Sequence, residues 1–363
     1  MLVTLAAYVR TAAFAVIASF GVSSAYAGCA EGNWKECKGQ PWVDGDVMAT
    51  PLGSKWWPNP LWGAGDEAGS TNWYKKPDVV KRALGTVKKG MTLKIGHEYT
   101  ANMPLFGERK FALRIPGKPT GGPFGGVNLM YNDEYLATEI GQVGTQFDGL
   151  GHIGVAIGAQ GDLNNMRWYN GFTAEEMGGA YGLKKLGTEK LHPITARGIL
   201  LDIAAARGVE SMEAGEVITM ADVNKALEMQ GMKNYKFMEG DAIIFRTGWE
   251  KYWIKDNAKY NNGCPGIGME VARWIAEDVK AGVTGGDTWP VDAVCGAGTK
   301  CEVPPGCVFC VHAYLQTRHG IVNQENLKLK ELADAKVYEF AYLYTPVPMK
   351  GATGSTGSPI AIW

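Results

Sequence analysis

The sequence predicts an α/β fold, and three observations carry that expectation. Short runs rich in β-branched and other apolar residues at 91–95, 198–203, 242–247 and 338–344 have the length and composition of strands. Helical patterns lie between them, so strand, helix and strand follow one another in order, as in α/β chains. With 363 residues, 46% of them hydrophobic and 20% charged, the chain also has ample apolar material for a large core.

Taken from the N-terminus, Arg10 precedes the apolar run 11–22, and Ala25-Tyr26-Ala27 puts small residues where a signal peptidase reads them. Residues 1–27 are expected to be a signal peptide cleaved after Ala27, giving an exported, periplasmic or secreted protein. A lipoprotein reading exists because Cys29 follows Gly28, but Tyr26 fits that motif poorly. The apolar run is shorter than the roughly 20 residues needed to span a bilayer, so no stable membrane insertion is expected after processing. Residues 28–363 show no internal repeat or long linker and read as one domain. Within it, 28–75 is a wrapping arm rich in tryptophan from Trp34 to Trp73, with no clean period. Trp56, Trp57, Trp62 and Trp73 are expected to cover the core, the alternative being to stack on a flat substrate.

Two helices have readable signals. Thr219 with Asp222 forms a variant capping box ahead of Val223, Ala226 and Leu227. Ile267, Val271, Trp274, Ile275 and Val279 recur at helical spacing, with Gly282 as the expected stop. Of seven cysteines, Cys295, Cys301, Cys307 and Cys310 fall in one short insertion, 295–310. A zinc ribbon would need two C-x2-C pairs, so local disulfides are favoured, with connectivity open. Cys29 with Cys37 would make a third pair and leave Cys264 free. The 36 basic and 37 acidic residues give a net charge of -1 with no Lys/Arg block, which argues against nucleic acid as a partner.

The chemistry concentrates in Gln142-Val-Gly-Thr-Gln146-Phe-Asp148-Gly-Leu-Gly-His152. Alternation puts Gln142, Gln146 and Asp148 on one face of an extended strand, with Phe147 pointing oppositely into the core. At about 3.3 Å per residue a flat strand would separate positions 142 and 148 too far for one ion. Gly144 could bend it, and Gly149, Gly151 and Gly154 could return His152 to the same pocket. The plainer reading is a glycine-rich turn with a hydrogen-bonded histidine. His97, His192 and His319 are taken as structural, and Asp66, Asp202, Asp241 and Asp287 serve equally well as caps and turn formers.

This segment resembles the signature H-x-G-T-H-x-D-x-P-x-H of the cyclase family, which includes bacterial kynurenine formamidases and isatin hydrolases. Gln142 and Gln146 stand where the pattern has its first two histidines, and Leu150 where it has proline. Further similarity follows in order: Trp62-Gly-Ala-Gly-Asp66-Glu-Ala-Gly69 with Asn72, Thr195 to Asp202, Gly240-Asp241 to Trp249, Gly285 to Thr288, and Val311-His312, Glu325-Asn326-Leu327 and Lys350 to Gly354.

The resemblance implies a swivelling β/β/α fold, a mixed sheet or flattened barrel flanked by helices, and a homodimer or homotetramer. It implies metal ligation by Gln146 and Asp148, with Gln142 the least secure ligand. Asp148 could bridge to a second ion completed by His312 and Glu325, and His152 would transfer protons. Amide oxygens in place of two imidazoles leave a harder site, favouring Mn²⁺ while Zn²⁺ stays possible. The implied reaction is hydrolysis of an amide, formamide, lactam or lactone of a small aryl or cyclic substrate, arylformamidase-like. The rival reading is a non-catalytic small-molecule-binding protein on a retired hydrolase fold.

Overall fold

The computed structural model describes residues 56–156 and 166–363. The expected leader, the first part of the arm and the Cys29–Cys37 pair lie outside them. Nine strands form one mixed sheet: β1 (Thr92–Lys94), β2 (Gln146–Asp148), β3 (Ile194–Asp202), β4 (Ala242–Arg246), β5 (Val283–Gly286), β6 (Val322–Glu325), β7 (Glu339–Tyr344), β8 (Gly354–Thr356) and β9 (Ile360–Ile362). Their spatial order is β1-β9-β7-β3-β4-β5-β6-β2-β8. The run β3-β4-β5-β6 is parallel, while β2, β8, β7, β9 and β1 pair antiparallel. Only residues 357–359 link β8 at one edge to β9 beside the other, so the sheet must curl into a half-barrel.

The central strands are apolar on both faces because both faces are covered. Ala196, Leu200, Ala242 and Ile244 pack on one face of the sheet with Phe147, Phe340 and Tyr342. Ile199, Leu201, Ile243 and Phe245 alternate onto the other face and meet helices. These include α1 (Met220–Met229) and α2 (Met269–Arg273). The capping box of α1 forms as expected: Thr219 Oγ1 accepts from Asp222 N–H, and Asp222 Oδ2 accepts from Thr219 N–H at 2.9 Å. Trp56 and Trp73 are buried, and Trp73 meets Trp62 edge-on with ring centroids 4.9 Å apart, so the described part of the arm covers the core.

The second helix differs from the expectation at its start, along its length and at its end. Ile267 belongs to a two-residue strand, the helix starts at Met269, and from Trp274 to Val279 it widens into a π-helix. It stops at Lys280, which takes left-handed φ of 54°, and not at Gly282. Gly282 is required for a different reason: a Cβ there would lie 2.0 Å from Tyr74 Oη. The strand expected over the glutamine motif is also shorter, covering Gln146–Asp148 alone. In the cysteine insertion, Cys295 pairs with Cys301 and Cys307 with Cys310, while buried Cys264 stays free. Among the described residues no helix is long and apolar enough to cross a membrane.

Candidate metal centre

Two neighbouring strands and one helix start assemble the site. β2 and β6 pair so that Gln146 stands opposite Glu325 and Asp148 opposite Asn323. Opposite residues in an antiparallel ladder share a face, so all four side chains project to one side while Phe147 packs in the core, 5.0 Å from the Tyr344 ring. α3 (Cys310–His312) brings His312 over that face. Ligand atoms of Asp148, His312 and Glu325 all lie within 4.8 Å of one another, and the three residues are buried.

The expected bend in the glutamine motif is real. Gly144 has φ of 64°, and a Cβ there would strike the Tyr99 ring at 2.4 Å. The chain folds back so that Gln142, six residues from Asp148, donates its amide N–H to Asp148 Oδ1 at 2.8 Å. A turn through Gly149 then returns half-buried His152, whose Nε2 stands 4.0 Å from Asp148 Oδ1. Gln146 donates its amide to Glu325 Oε2 at 2.8 Å. The two glutamines therefore turn nitrogen, and not oxygen, toward the carboxylates, and the Gln142 oxygen accepts from the Arg109 guanidinium at 3.3 Å.

His312 Nε2 lies 3.1 Å from Glu325 Oε1 and 3.4 Å from Asp148 Oδ2. Its other ring nitrogen, Nδ1, is bonded to Asp292 Oδ2. Asp292 is itself anchored, because its Oδ1 accepts Val311 N–H from α3 at 2.8 Å. The sequence reading missed Asp292, Asn323 and Arg109. An aspartate five residues beyond Asp287, after a proline, cannot be told from a turn former by spacing, and β-register is needed to bring Asn323 opposite Asp148. His97 stacks on Trp253 at 4.3 Å and His319 packs against Tyr314 at 4.7 Å, so each has a packing role. Asp66, Asp202, Asp241 and Asp287 accept backbone N–H groups of turns and helix starts, as caps and turn formers do.

The electrostatics follow from charges held out of water. Burial disfavours a charged His312, but Asp292 and then Asp148 and Glu325 outweigh it and raise its pKa well above the usual imidazole value. Burial, reinforced by the Asp148 charge, pushes Glu325 up to about 7. Burial also opposes ionisation of Asp148, yet His152 and His312 keep it below the ordinary carboxyl value. His152 is lowered from the usual imidazole value by burial, against the opposing pull of Asp148.

This donor set suits a divalent cation. Two carboxylates and an imidazole converge, and Asp148 Oδ2 is buried without a hydrogen-bond partner. Both polar side-chain atoms of Asn323 are likewise buried and unpartnered on the same face. An orphaned buried carboxylate oxygen is costly unless a cation or donor meets it. Asp292 supplies the carboxylate that commonly backs a metal-binding histidine. Three aromatic rings stand beside the centre: Phe309 is 5.7 Å from His312, Trp289 is 6.1 Å from Phe309, and Phe106 stacks on Trp289 at 4.3 Å.

Comparison with known proteins agrees with this architecture. A crystal structure described as a novel cyclase superposes with a TM-score of 0.70 at 26% identity, covering 83% of this chain and 98% of that one. Isatin hydrolase A from Labrenzia aggregata, bound to benzyl benzoate, gives 0.51 at 18% identity, covering 77% and 94%. Isatin hydrolase A from Ralstonia solanacearum gives 0.50 at 16% identity, covering 77% and 93%. A comparison with curated protein sequences gave no significant match. The sequence profile of the Cyclase family matches residues 93–293, more than half of the chain. With that match, the half-barrel fold and the convergence of Asp148, His312 and Glu325, the chain belongs to the cyclase family.

Proposed function

We propose that the protein is a metal-dependent hydrolase that opens an amide, formamide, lactam or lactone bond in a small aryl or cyclic substrate, in the manner of an arylformamidase. The observation that carries this reading is the buried Asp148–His312–Glu325 cluster with His152 at its rim, 4.0 Å from Asp148 Oδ1. Asp148, His312 and Glu325 would hold the cation, and Gln146 would join them if its amide turned its oxygen inward. Bound there, a divalent cation, Mn²⁺ favoured by the oxygen-rich set and Zn²⁺ the alternative, supplies a Lewis acid for the acyl carbonyl and acidifies water.

The chain's own groups do the rest. Asp292 fixes the His312 tautomer that leaves Nε2 facing Asp148 and Glu325. His152 accepts the proton of the attacking water and returns one to the leaving nitrogen or oxygen. Phe106, Trp289 and Phe309 offer flat faces to an aromatic substrate, and the isatin hydrolases that share this fold are named for such a compound. The two disulfides suit an oxidising compartment, which supports the exported reading.

One observation favours the second reading, a binding protein on a retired hydrolase fold: both glutamine amides already donate to the carboxylates. A turnover screen of N-formyl anilines, isatin-like lactams and aryl lactones with added Mn²⁺ separates the two. Metal-dependent turnover of one class supports the hydrolase. Tight binding of these compounds with no turnover and no effect of Mn²⁺ supports the retired fold.

A further inference from the structure

Arg109 holds a charge that no acidic group among the described residues balances. Its segment, 99–110, is fastened to the body. Met103 is buried, and Asn257 and Asn261 donate side-chain N–H groups to the Asn102 and Leu105 carbonyls at 2.8 and 3.0 Å. Held there, the half-buried guanidinium gives one N–H to Gln142 Oε1 at 3.3 Å. An amide oxygen needs only a neutral donor. Among the described residues Arg109 forms no ion pair, and Glu139, whose carboxylate feels its charge, is bonded instead to Lys110 N–H at 2.7 Å. A partly buried cation is normally paired.

The surroundings indicate what would pair it. Arg109 Cζ lies 5.6 Å from the Phe106 ring, which is 40% exposed and begins the row of rings that runs through Trp289 and Phe309 to His312. On its other side a single glutamine amide separates the guanidinium from Asp148, and its charge also reaches His152. The cation therefore stands where the aromatic wall meets the metal centre. A lone guanidinium presents a planar fork that matches a planar, singly charged carboxylate. A phosphate would call for a second cation, and neighbouring Lys110 is exposed beside Glu108 at 4.0 Å.

We propose that Arg109 anchors the carboxylate of an aromatic acid, so that substrates carry an acid group beside the amide, formamide, lactam or lactone that is opened. The bond that is opened rests on the hydrolase reading above. The anchor itself does not.

Calorimetric titration of the Mn²⁺-loaded full protein with benzoate, and with its neutral counterpart benzyl alcohol, tests the anchor without turnover. Benzoate is expected to bind at least about 10-fold more tightly than the alcohol. Arg109→Gln should weaken benzoate about 10–100-fold while sparing benzyl alcohol, with Arg109→Lys in between. Benzoate held by the cation alone would bind Arg109→Gln as well as the wild type, which overturns the proposal. A wild type with no preference for benzoate overturns it too. In turnover, kcat/KM should favour formamidobenzoate over formanilide, and Arg109→Gln should reduce that preference, chiefly through KM. Arg109-dependent benzoate binding with no turnover of either compound keeps the anchor and removes the hydrolase. Turnover of both with a preference unchanged by Arg109→Gln keeps the hydrolase and removes the anchor.

Discussion

Asp292 touches neither substrate nor cation in this account, yet it decides which nitrogen of His312 faces the carboxylates. An asparagine there can donate to Nδ1 and move the ring proton to Nε2, which then cannot ligate. Asp292→Asn is therefore expected to weaken Mn²⁺ binding by about 10–100-fold, read by calorimetric titration, with kcat at saturating Mn²⁺ near the wild-type value. A change in melting temperature with unchanged Mn²⁺ affinity would make Asp292 a structural residue only. His152→Ala should do the converse, leaving metal content intact while kcat falls about 10²–10⁴-fold, and a fully active variant would sink its proton-transfer role. Asp148, His312 and Glu325 were legible in the sequence because each sits in a stretch resembling the family. The meeting of Gln142 with Asp148 was legible through Gly144. Asp292 and Arg109 were not, since each acts through a contact between segments far apart in the chain.

At the scale of elements, the strands at 194–202, 242–246 and 339–344 were readable because doubly buried strands are continuous apolar runs. The end of the 269–279 helix was not, because Lys280 accepts a left-handed conformation that glycine normally supplies, while Gly282 answers to Tyr74 across the core. The ribbon in which Phe111–Arg114 pairs with Tyr135–Thr138 was hidden by its own punctuation, Pro116-Gly-Lys-Pro-Thr-Gly-Gly-Pro123, which breaks the alternation that marks strands. The short turn Trp249–Tyr252, between β4 and the helices, gives an element-scale prediction. Burial, with the nearby Asp287 charge, pushes Glu250 up to about 8 against the pull of Arg246. The folded state thus holds a proton that the unfolded chain releases near pH 4.5, so this group's contribution is full below that pH and is lost as pH rises through 8. Glu250→Gln keeps an acceptor for Leu329 N–H without the charge. Urea unfolding should show the variant gaining on the wild type from pH 5 to pH 8.5, and a gap that stays constant or shrinks would contradict the assignment.

For the whole molecule, the disulfides tie the insertion to the site, because Phe309, between Cys307 and Cys310, touches both Trp289 and His312. Reducing both bridges should cost on the order of 2 kcal/mol each in unfolding free energy, as expected for loops this short, and should loosen the start of α3. Unchanged stability and turnover in reductant would detach the insertion from the site. Elemental analysis of Mn²⁺-loaded, dialysed protein decides whether Asp148, His312 and Glu325 hold a catalytic divalent cation. About one ion per chain is expected in the wild type and in His152→Ala, and loss of most of it in Asp148→Asn, partly restored at high Mn²⁺. A folded wild type that retains no divalent ion after loading, or an Asp148→Asn protein that retains as much as the wild type, would contradict it.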